Sequence, residues 1–288
     1  MSVAHAADLI RAGRLVAFPT ETVYGLGANA LDAEAVARIF AAKGRPRQSP
    51  LIVHVASVEM ARELAAGWPP VAETLAERYW PGPLTLVVPK RPMIPDIVTA
   101  GLPTVALRMP SHPMALELIR LAGVPIAAPS ANRFTELSPT AAAHVPEALA
   151  DYTLDGGPAQ VGIESTVLSL AGTPTLLRPG VIPATELETV VGPITAASLE
   201  TPHASPGMHP RHYRPRTPLY LGARERAGRG VFLRIGHEMP ADPRAYAAAL
   251  YETLHRLDAE GFDWIAVEQP PGTPEWSGVL DRLRRAAE

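Results

Sequence analysis

The chain has 288 residues, 47% of them hydrophobic and 19% charged, enough for one large domain with its own core or for a large domain with a smaller one. A formal net charge of −3 demands neither a nucleic-acid nor a membrane partner. With no cysteine in the chain, disulfides, thiolate nucleophiles and cysteine-ligated metals are excluded, which fits a cytoplasmic protein.

The amino terminus patterns as an amphipathic helix start rather than a signal peptide, because no uninterrupted apolar run follows a basic flank. No apolar run approaches the roughly 18 residues of a membrane span. Leu15–Phe18 reads as a short strand ending at Pro19. Asp32 supplies an N-cap for a helix carrying Val36, Ile39 and Phe40 on one face and stopping at Gly44. Leu51–Val55 reads as a strand, Glu59–Ala66 and Val71–Tyr79 as helices, and Leu84–Val88 and Thr104–Leu107 as strands. Ser111 is expected to cap a helix running to about Ala122, with Gly123 as its stop. Pro125–Ala128 is a buried strand, and Thr166–Leu170 pairs with Thr175–Leu177 in a hairpin around Ala-Gly-Thr-Pro. This alternation predicts an α/β domain over residues 1–195.

Residues 196–217 are rich in proline, histidine and arginine, lack apolar periodicity, and read as a linker. Beyond it, Val231–Ile235 is a strand. Asp242 and Pro243 start a helix with Tyr246, Leu250, Leu254 and Leu257 on one face. Trp264–Val267 is a strand and Val279–Arg285 a last helix. Residues 218–288 thus form a small second α/β domain whose core is marginal alone, so it is expected to dock on the first. There is no internal repeat. Proline is abundant, at 32 residues, and Lys43 and Lys90 are the only lysines against 24 arginines, which reads as genomic composition bias.

Chemistry-bearing groups fall at the ends of these elements. In Pro19-Thr20-Glu21-Thr22-Val23-Tyr24-Gly25-Leu26-Gly27 a strand ends, hydroxyls, a carboxylate and a phenol follow, and two glycines permit tight backbone geometry. The spacing alone equally fits an ordinary strand-to-helix turn. Lys43-Gly44-Arg45-Pro46-Arg47 places three cations after a helix C-terminus, either as dipole-favoured capping or as a site for an anionic ligand such as a triphosphate. His54 lies on the next strand, where a histidine is more often structural. Arg108 ends a strand. Ser130 and Asn132 follow a buried one, and Ser138-Pro-Thr, Glu164-Ser-Thr-Val and Arg178-Pro-Gly follow in turn. Ligands in open α/β sheets gather at such strand ends. A P-loop, a dinucleotide-binding glycine fingerprint and a His-Glu-x-x-His metal motif are all missing. His203, His209 and His212 cluster in the linker without metal-ligand spacing and read as solvated.

Taken together and in order, these segments resemble the threonylcarbamoyl-AMP synthase family in its longer, two-domain form. The carrying motifs are Pro-Thr-Glu-Thr-Val-Tyr-Gly-Leu-Gly (19–27), Lys-Gly-Arg-Pro (43–46), Pro-Leu-Ile-Val-His (50–54), Arg-Met-Pro (108–110), Pro-Ser-Ala-Asn (129–132), Ser-Pro-Thr (138–140), Glu-Ser-Thr-Val (164–167) and Arg-Pro-Gly (178–180), with Ser-Pro-Gly-Met (205–208) and His-Tyr (212–213) in the linker. The resemblance implies a large YrdC-like α/β domain with a twisted mixed sheet and an open cavity, plus a small Rossmann-like C-terminal α/β domain. It implies a nucleotidyltransferase: L-threonine and bicarbonate form an N-carboxy adduct that attacks the α-phosphate of ATP, with Mg2+ accompanying the ATP, and threonylcarbamoyl-AMP and pyrophosphate leave. A downstream tRNA-modifying complex then transfers the threonylcarbamoyl group to the adenosine beside the anticodon.

The resemblance further implies a threonine site of Thr22, His54, Arg108, Ala128 and Ser165, in which the Arg108 fork suits a carboxylate. It implies an ATP site of Arg45, Ser49, Thr104, Ser130, Ser138, Arg178 and Tyr213, and phosphate-charge stabilisation by Lys43 and Arg45. Residues 200–217 would fold across the cavity as a lid. The chain departs from the family in carrying Arg133-Phe134-Thr135-Glu136 where a glycine usually follows Ser-Ala-Asn, which leaves that loop's backbone path open, and its second domain is short. Two other classes stay open: a double-stranded-RNA or tRNA-binding module without catalysis, against which the net charge weighs, and a carbamoyl-transfer step of hydrogenase maturation, against which the missing cysteines weigh.

Overall fold

A computed structural model describes residues 2–197, 212–222 and 227–287. The Ser-Pro-Gly-Met motif, His203, His209 and most of the expected lid lie outside them. In chain order the strands of the first domain are β1 (Val16–Phe18), β2 (Gly25–Asn29), β3 (Ile52–His54), β4 (Leu84–Pro89), β5 (Thr104–Arg108), β6 (Ile126–Ala127), β7 (Tyr152–Thr153), β8 (Thr166–Ser169), β9 (Thr175–Arg178) and β10 (Thr195–Ala196). They form one mixed sheet in the order β10-β9-β8-β4-β5-β3-β6-β2-β1-β7. A second sheet holds β11 (Leu219–Leu221), β13 (Trp264–Val267) and β12 (Gly230–Leu233) in that order, all parallel. The chain is therefore a large mixed α/β domain with a smaller α/β domain behind it.

Alternation along the strands separates two faces. Val53 and Leu107 join the large core under the helices, whereas their neighbours Ile52 and Ala106 join Val87, Val167 and Leu177 on the opposite face. Helix Ala33–Lys43 shows why the helices sit where they do. The Asp32 carboxylate accepts from the amides of Glu34 and Ala35, Gly44 ends the helix at φ 63, and Ala35, Val36, Ile39 and Phe40 are buried between.

Two expectations are corrected. Helix Pro113–Ala122 is capped by His112, whose ring accepts from the Met114 amide, and not by Ser111. Proline at the first helical position makes the residue before it the cap, and the freed Ser111 amide instead donates to Glu21 Oε2 at 3.0 Å. Residues 25–29 form a strand antiparallel to β1, not a turn into a helix. Its glycines are there for close approach: a Cβ on Gly27 would lie 2.8 Å from both the Phe18 ring and Ile126 Cγ2.

The second domain shares its core with the first. Val23, Leu137 and Ile163 pack in one cluster with Leu250, Leu254, Val279 and Leu283. Two glycines set the distance. A Cβ on Gly162, at φ 77, would lie 2.4 Å from the Ala247 carbonyl oxygen, and one on Gly278 would lie 2.6 Å from the Gly180 carbonyl oxygen. Backbone cannot swing aside as a side chain can, so Gly278→Ala should cost about 1–3 kcal/mol through overpacking. A lowered urea midpoint checks this, and an unchanged midpoint would show that the domains are not in close contact there.

Candidate active site

The ends of β1, β3, β5 and β9, the loop after β6 and the end of the linker line an open cavity. Its lining includes Thr20, Thr22, Arg45, His54, Arg108, Ala128, Ser130, Glu164, Arg178, His212 and Tyr213.

One end is organised by parallel pairing of β3 with β5, which sets His54 beside Arg108. The Arg108 guanidinium is buried. It forms an ion pair with Glu21 at 2.7 Å whose N–H is not aligned for a hydrogen bond, and it donates to Thr22 Oγ1 at 2.9 Å and to the Gly82 carbonyl at 3.3 Å. Two of its five N–H groups are thus hydrogen-bonded, and Nη2 faces Glu21 through charge alone. Thr20 Oγ1 donates to the Val23 carbonyl at 2.6 Å, so the contact of 2.9 Å between the two threonine hydroxyls is donated by Thr22. Thr22 then accepts from Arg108, and its remaining acceptor capacity is oriented by this chain of bonds. His54 is buried edge-on to Phe18. Burial and then the neighbouring Arg108 push its pKa down to about 3, so it is neutral near pH 7.

The other end is held by arginines. Arg178 donates to the Ser165 carbonyl at 3.0 Å and to Ser165 Oγ at 3.1 Å. Ser165 Oγ also meets Thr85 Oγ1 at 2.7 Å. Arg45 donates to the Pro50 carbonyl at 3.2 Å and lies 5.9 Å over the Phe134 ring, and among the described residues its Nε has no hydrogen-bond partner. Burial first, and Arg178 as well, lower its pKa to about 10. Glu164 forms the back wall. Ser138 Oγ donates to its Oε1 at 2.5 Å and Arg282 Nε to its Oε2 at 2.6 Å. Burial pushes this carboxyl up, but Arg282 and then Arg178 overcome it and hold the pKa at about 2.

The nominated residues divide accordingly. Thr22, His54, Arg108, Ala128, Arg45, Ser130, Arg178 and Tyr213 line the one cavity. Ser165 and Ser138 stand behind it, bonded to Arg178 and Glu164. Ser49 is buried away from the lining, and Thr104 sits beyond Ala106 on the same sheet face as Arg108. Lys43 does not face the cavity. Its buried ammonium donates to the carbonyls of Ser130 (2.5 Å) and Asn132, so it fixes the loop that carries Ser130. His212, read as solvated, is 4% exposed and lines the cavity. Its ring packs against Tyr213 and Phe134. Sequence reasoning also passed over Thr20 as a hydrogen-bond acceptor for Thr22 and Arg282 as the partner of Glu164.

Known proteins sharing this architecture identify the family. The family model described as Telomere recombination matches residues 8–180, and that of the threonylcarbamoyl-AMP synthase C-terminal domain matches 182–288. The threonylcarbamoyl-AMP synthase of Pyrococcus abyssi is 45% identical over 98% of this chain and 93% of its own, and that of Bacillus subtilis 44% over 99% and 92%. The chain belongs to the threonylcarbamoyl-AMP synthase family. A crystal structure of P. abyssi Sua5 complexed with L-threonine superposes with a TM-score of 0.93 at 41% identity, covering 99% of this chain and 94% of that one. No helix among the described residues of this family member is long and apolar enough to cross a membrane.

The buried histidines give the family member a pH signature. His54 and His212 are pushed down to about 3 and His255 to about 4, chiefly by burial, from an ordinary 6.5. The unfolded chain takes up these protons near 6.5 while the folded chain refuses them, so stability is full above that value and falls as pH drops below it. Each group contributes up to about 1.4 kcal/mol per pH unit. Urea midpoints at about pH 7 and pH 5 should therefore differ sharply, and equal midpoints would show that the rings are hydrated.

Proposed function

We propose that this chain condenses L-threonine, bicarbonate and ATP into threonylcarbamoyl-AMP and pyrophosphate. The observation that carries the reading is the convergence of three buried arginines, Arg45, Arg108 and Arg178, on one cavity. Among the described residues its one lining carboxylate, Glu164, is held by Arg282, and Arg108 is paired with Glu21. Three guanidinium groups lining one cavity still suit two anionic partners, an amino-acid carboxylate and a triphosphate.

Threonine fits the end built by Thr22, His54, Arg108 and Ala128. The substrate carboxylate would take N–H groups of Arg108 that are not hydrogen-bonded within the protein, and the oriented Thr22 oxygen would accept from the substrate. A histidine with a pKa near 3 is a poor base, so His54 contributes shape and a neutral ring. The threonine ammonium would lose a proton to solvent, and the free amine and bicarbonate would give the carbamate and water. The nucleotide fits the end with Arg45, Ser130, Arg178 and Tyr213, and Ser49, Thr104 and Ser138 would support it from behind or from the rim. As the new carboxylate attacks the α-phosphate, negative charge shifts onto the departing pyrophosphate, and Arg45 is placed to stabilise it. Lys43 would act at one remove, by holding the Ser130 loop. Magnesium would arrive on the triphosphate. Glu164 is committed to Arg282 and Ser138, and no cluster of ligating side chains among the described residues offers a separate metal site. His212 and Tyr213 close one side of the cavity, which supports a lid that keeps the labile carboxy-threonine from water.

The product would feed a tRNA-modifying complex that transfers the threonylcarbamoyl group to the adenosine next to the anticodon, a cytoplasmic reaction. Membership of a synthase family does not favour an RNA-binding module without catalysis.

Pyrophosphate release from ATP with bicarbonate present should require threonine. Equal release without threonine, or none with it, would refute the reading. Arg45→Ala should lower kcat/KM on the order of 10²–10³-fold, as loss of one charge-stabilising group does elsewhere, with thermal stability retained. Near-normal turnover would remove Arg45 from the phosphate role. Tyr213→Ala should lose less and waste more ATP by hydrolysis. An unchanged ratio of product to wasted ATP would count against the lid.

A further inference from the structure

Arg282 belongs to the last helix, Ser277–Ala286, in the second domain, yet its side chain is fully buried against the first. Its Nε donates to Glu164 Oε2 at 2.6 Å, Nη2 to the Glu164 carbonyl at 3.1 Å, and Nη1 to the Pro179 carbonyl at 2.9 Å and to Asp281 Oδ2 at 2.8 Å. The guanidinium also lies 5.3 Å over the ring of Tyr213. Glu164 and Tyr213 both line the cavity, and Glu164 passes the contact on to Ser138. Pro179 follows Arg178 directly, so one guanidinium fastens three separate segments of the wall: 164–165, 178–179 and 213. The close approach of Gly278 to Gly180 lets the helix come near enough for this reach.

We propose that Arg282 is a positioning residue for the nucleotide end of the cavity, holding Glu164 and Tyr213 in place, so that turnover depends on the second domain. The inference rests on the reading of this cavity as the site of adenylate formation. A buried ion pair kept only for stability would have no need to end on two cavity-lining groups. Hydrophobic replacement of such pairs is often as stable or more so, so stability alone is a weak reason for this one. Arg282 touches none of Thr22, His54 and Arg108, and reaches the expected threonine residues only through the Glu164 carbonyl, one residue before Ser165. A loss of Arg282 should therefore be felt more by ATP than by threonine.

The experiment is steady-state pyrophosphate release by full-length wild type, Arg282→Met and the neutral pair Glu164→Gln/Arg282→Met, titrating ATP and threonine separately. Arg282→Met should raise the KM for ATP by about tenfold or more and leave that for threonine within about threefold. The double variant should fold, because it removes both members of the buried pair together while Asp281 keeps Arg285. It should recover part of the loss but not all, since Tyr213 still lacks the guanidinium beneath it. A wild-type KM for ATP in either variant would overturn the proposal, as would a fall in kcat with both KM values unmoved, the mark of a smaller folded fraction. Should Arg282→Met fail to fold, the double variant decides by the same criterion. Absence of threonine-dependent release in the wild type would instead refute the parent reading, and this inference with it.

Discussion

A guanidinium taken out of water must be matched by acceptors, and this chain takes four of them out of water around one cavity: Arg45, Arg108, Arg178 and Arg282. Each is matched differently. Arg282 meets a full carboxylate and several carbonyls, Arg108 meets Glu21 and Thr22, and Arg178 meets Ser165. Arg45 is matched least, by one carbonyl and an aromatic face. Positive charge is thus most fully compensated behind the cavity wall and least at Arg45. The gradient has a direction, and it runs toward the end where a departing pyrophosphate would need it.

The matching depends on the sheet. Parallel pairing of β3 with β5 aligns His54 with Arg108, and parallel pairing of β4 with β8 brings Thr85 within hydrogen-bond reach of Ser165. His54, Thr85 and Arg108 stand on strands, where neighbouring ladders fix their positions, and Ser165 sits one residue before β8. Loops supply what remains, and each is tied down by a buried group: the Ser130 loop by Lys43, and the segment after β1 by the hydroxyl of Thr20. Lys43 ends a helix, and its two carbonyl partners, 87 and 89 residues further along the chain, fix the loop that carries Ser130.

Much of this was legible in the sequence wherever the cause is local. Asp32 and Gly44 bound a helix because capping and left-handed backbone act within a few residues, and Trp264–Val267 is apolar enough to name itself. Strand β2 was not legible, because its glycines answer to Phe18 and Ile126, which are distant in sequence. Strands of two or three residues, such as β7, β10 and β11, are too short to carry a period. At the site, the residue types at strand ends showed where a ligand could sit, and the family resemblance supplied roles. Neither could show that His212 is buried or that Glu164 finds its cation 118 residues away. Both depend on how the second domain docks.

The loop after Ser-Ala-Asn shows how a local departure can be absorbed. In this loop Thr135 adopts φ 74, a conformation that costs an L-residue roughly 1–2 kcal/mol. The surroundings hold it there. The Arg214 amide donates to the Thr135 carbonyl at 2.9 Å, residues 136 and 214 form a bridge, and the Phe134 amide donates to the Lys43 carbonyl at 2.9 Å. The strained turn places the Phe134 ring between Arg45, 5.9 Å away, and His212, 5.7 Å away. One loop therefore touches the least compensated arginine, the end of the linker and the helix that carries Lys43. A glycine at 135 would relieve the strain but would also enlarge the set of conformations open to the loop. The threonine narrows that set, and Arg45 lies against a chain segment with few alternatives.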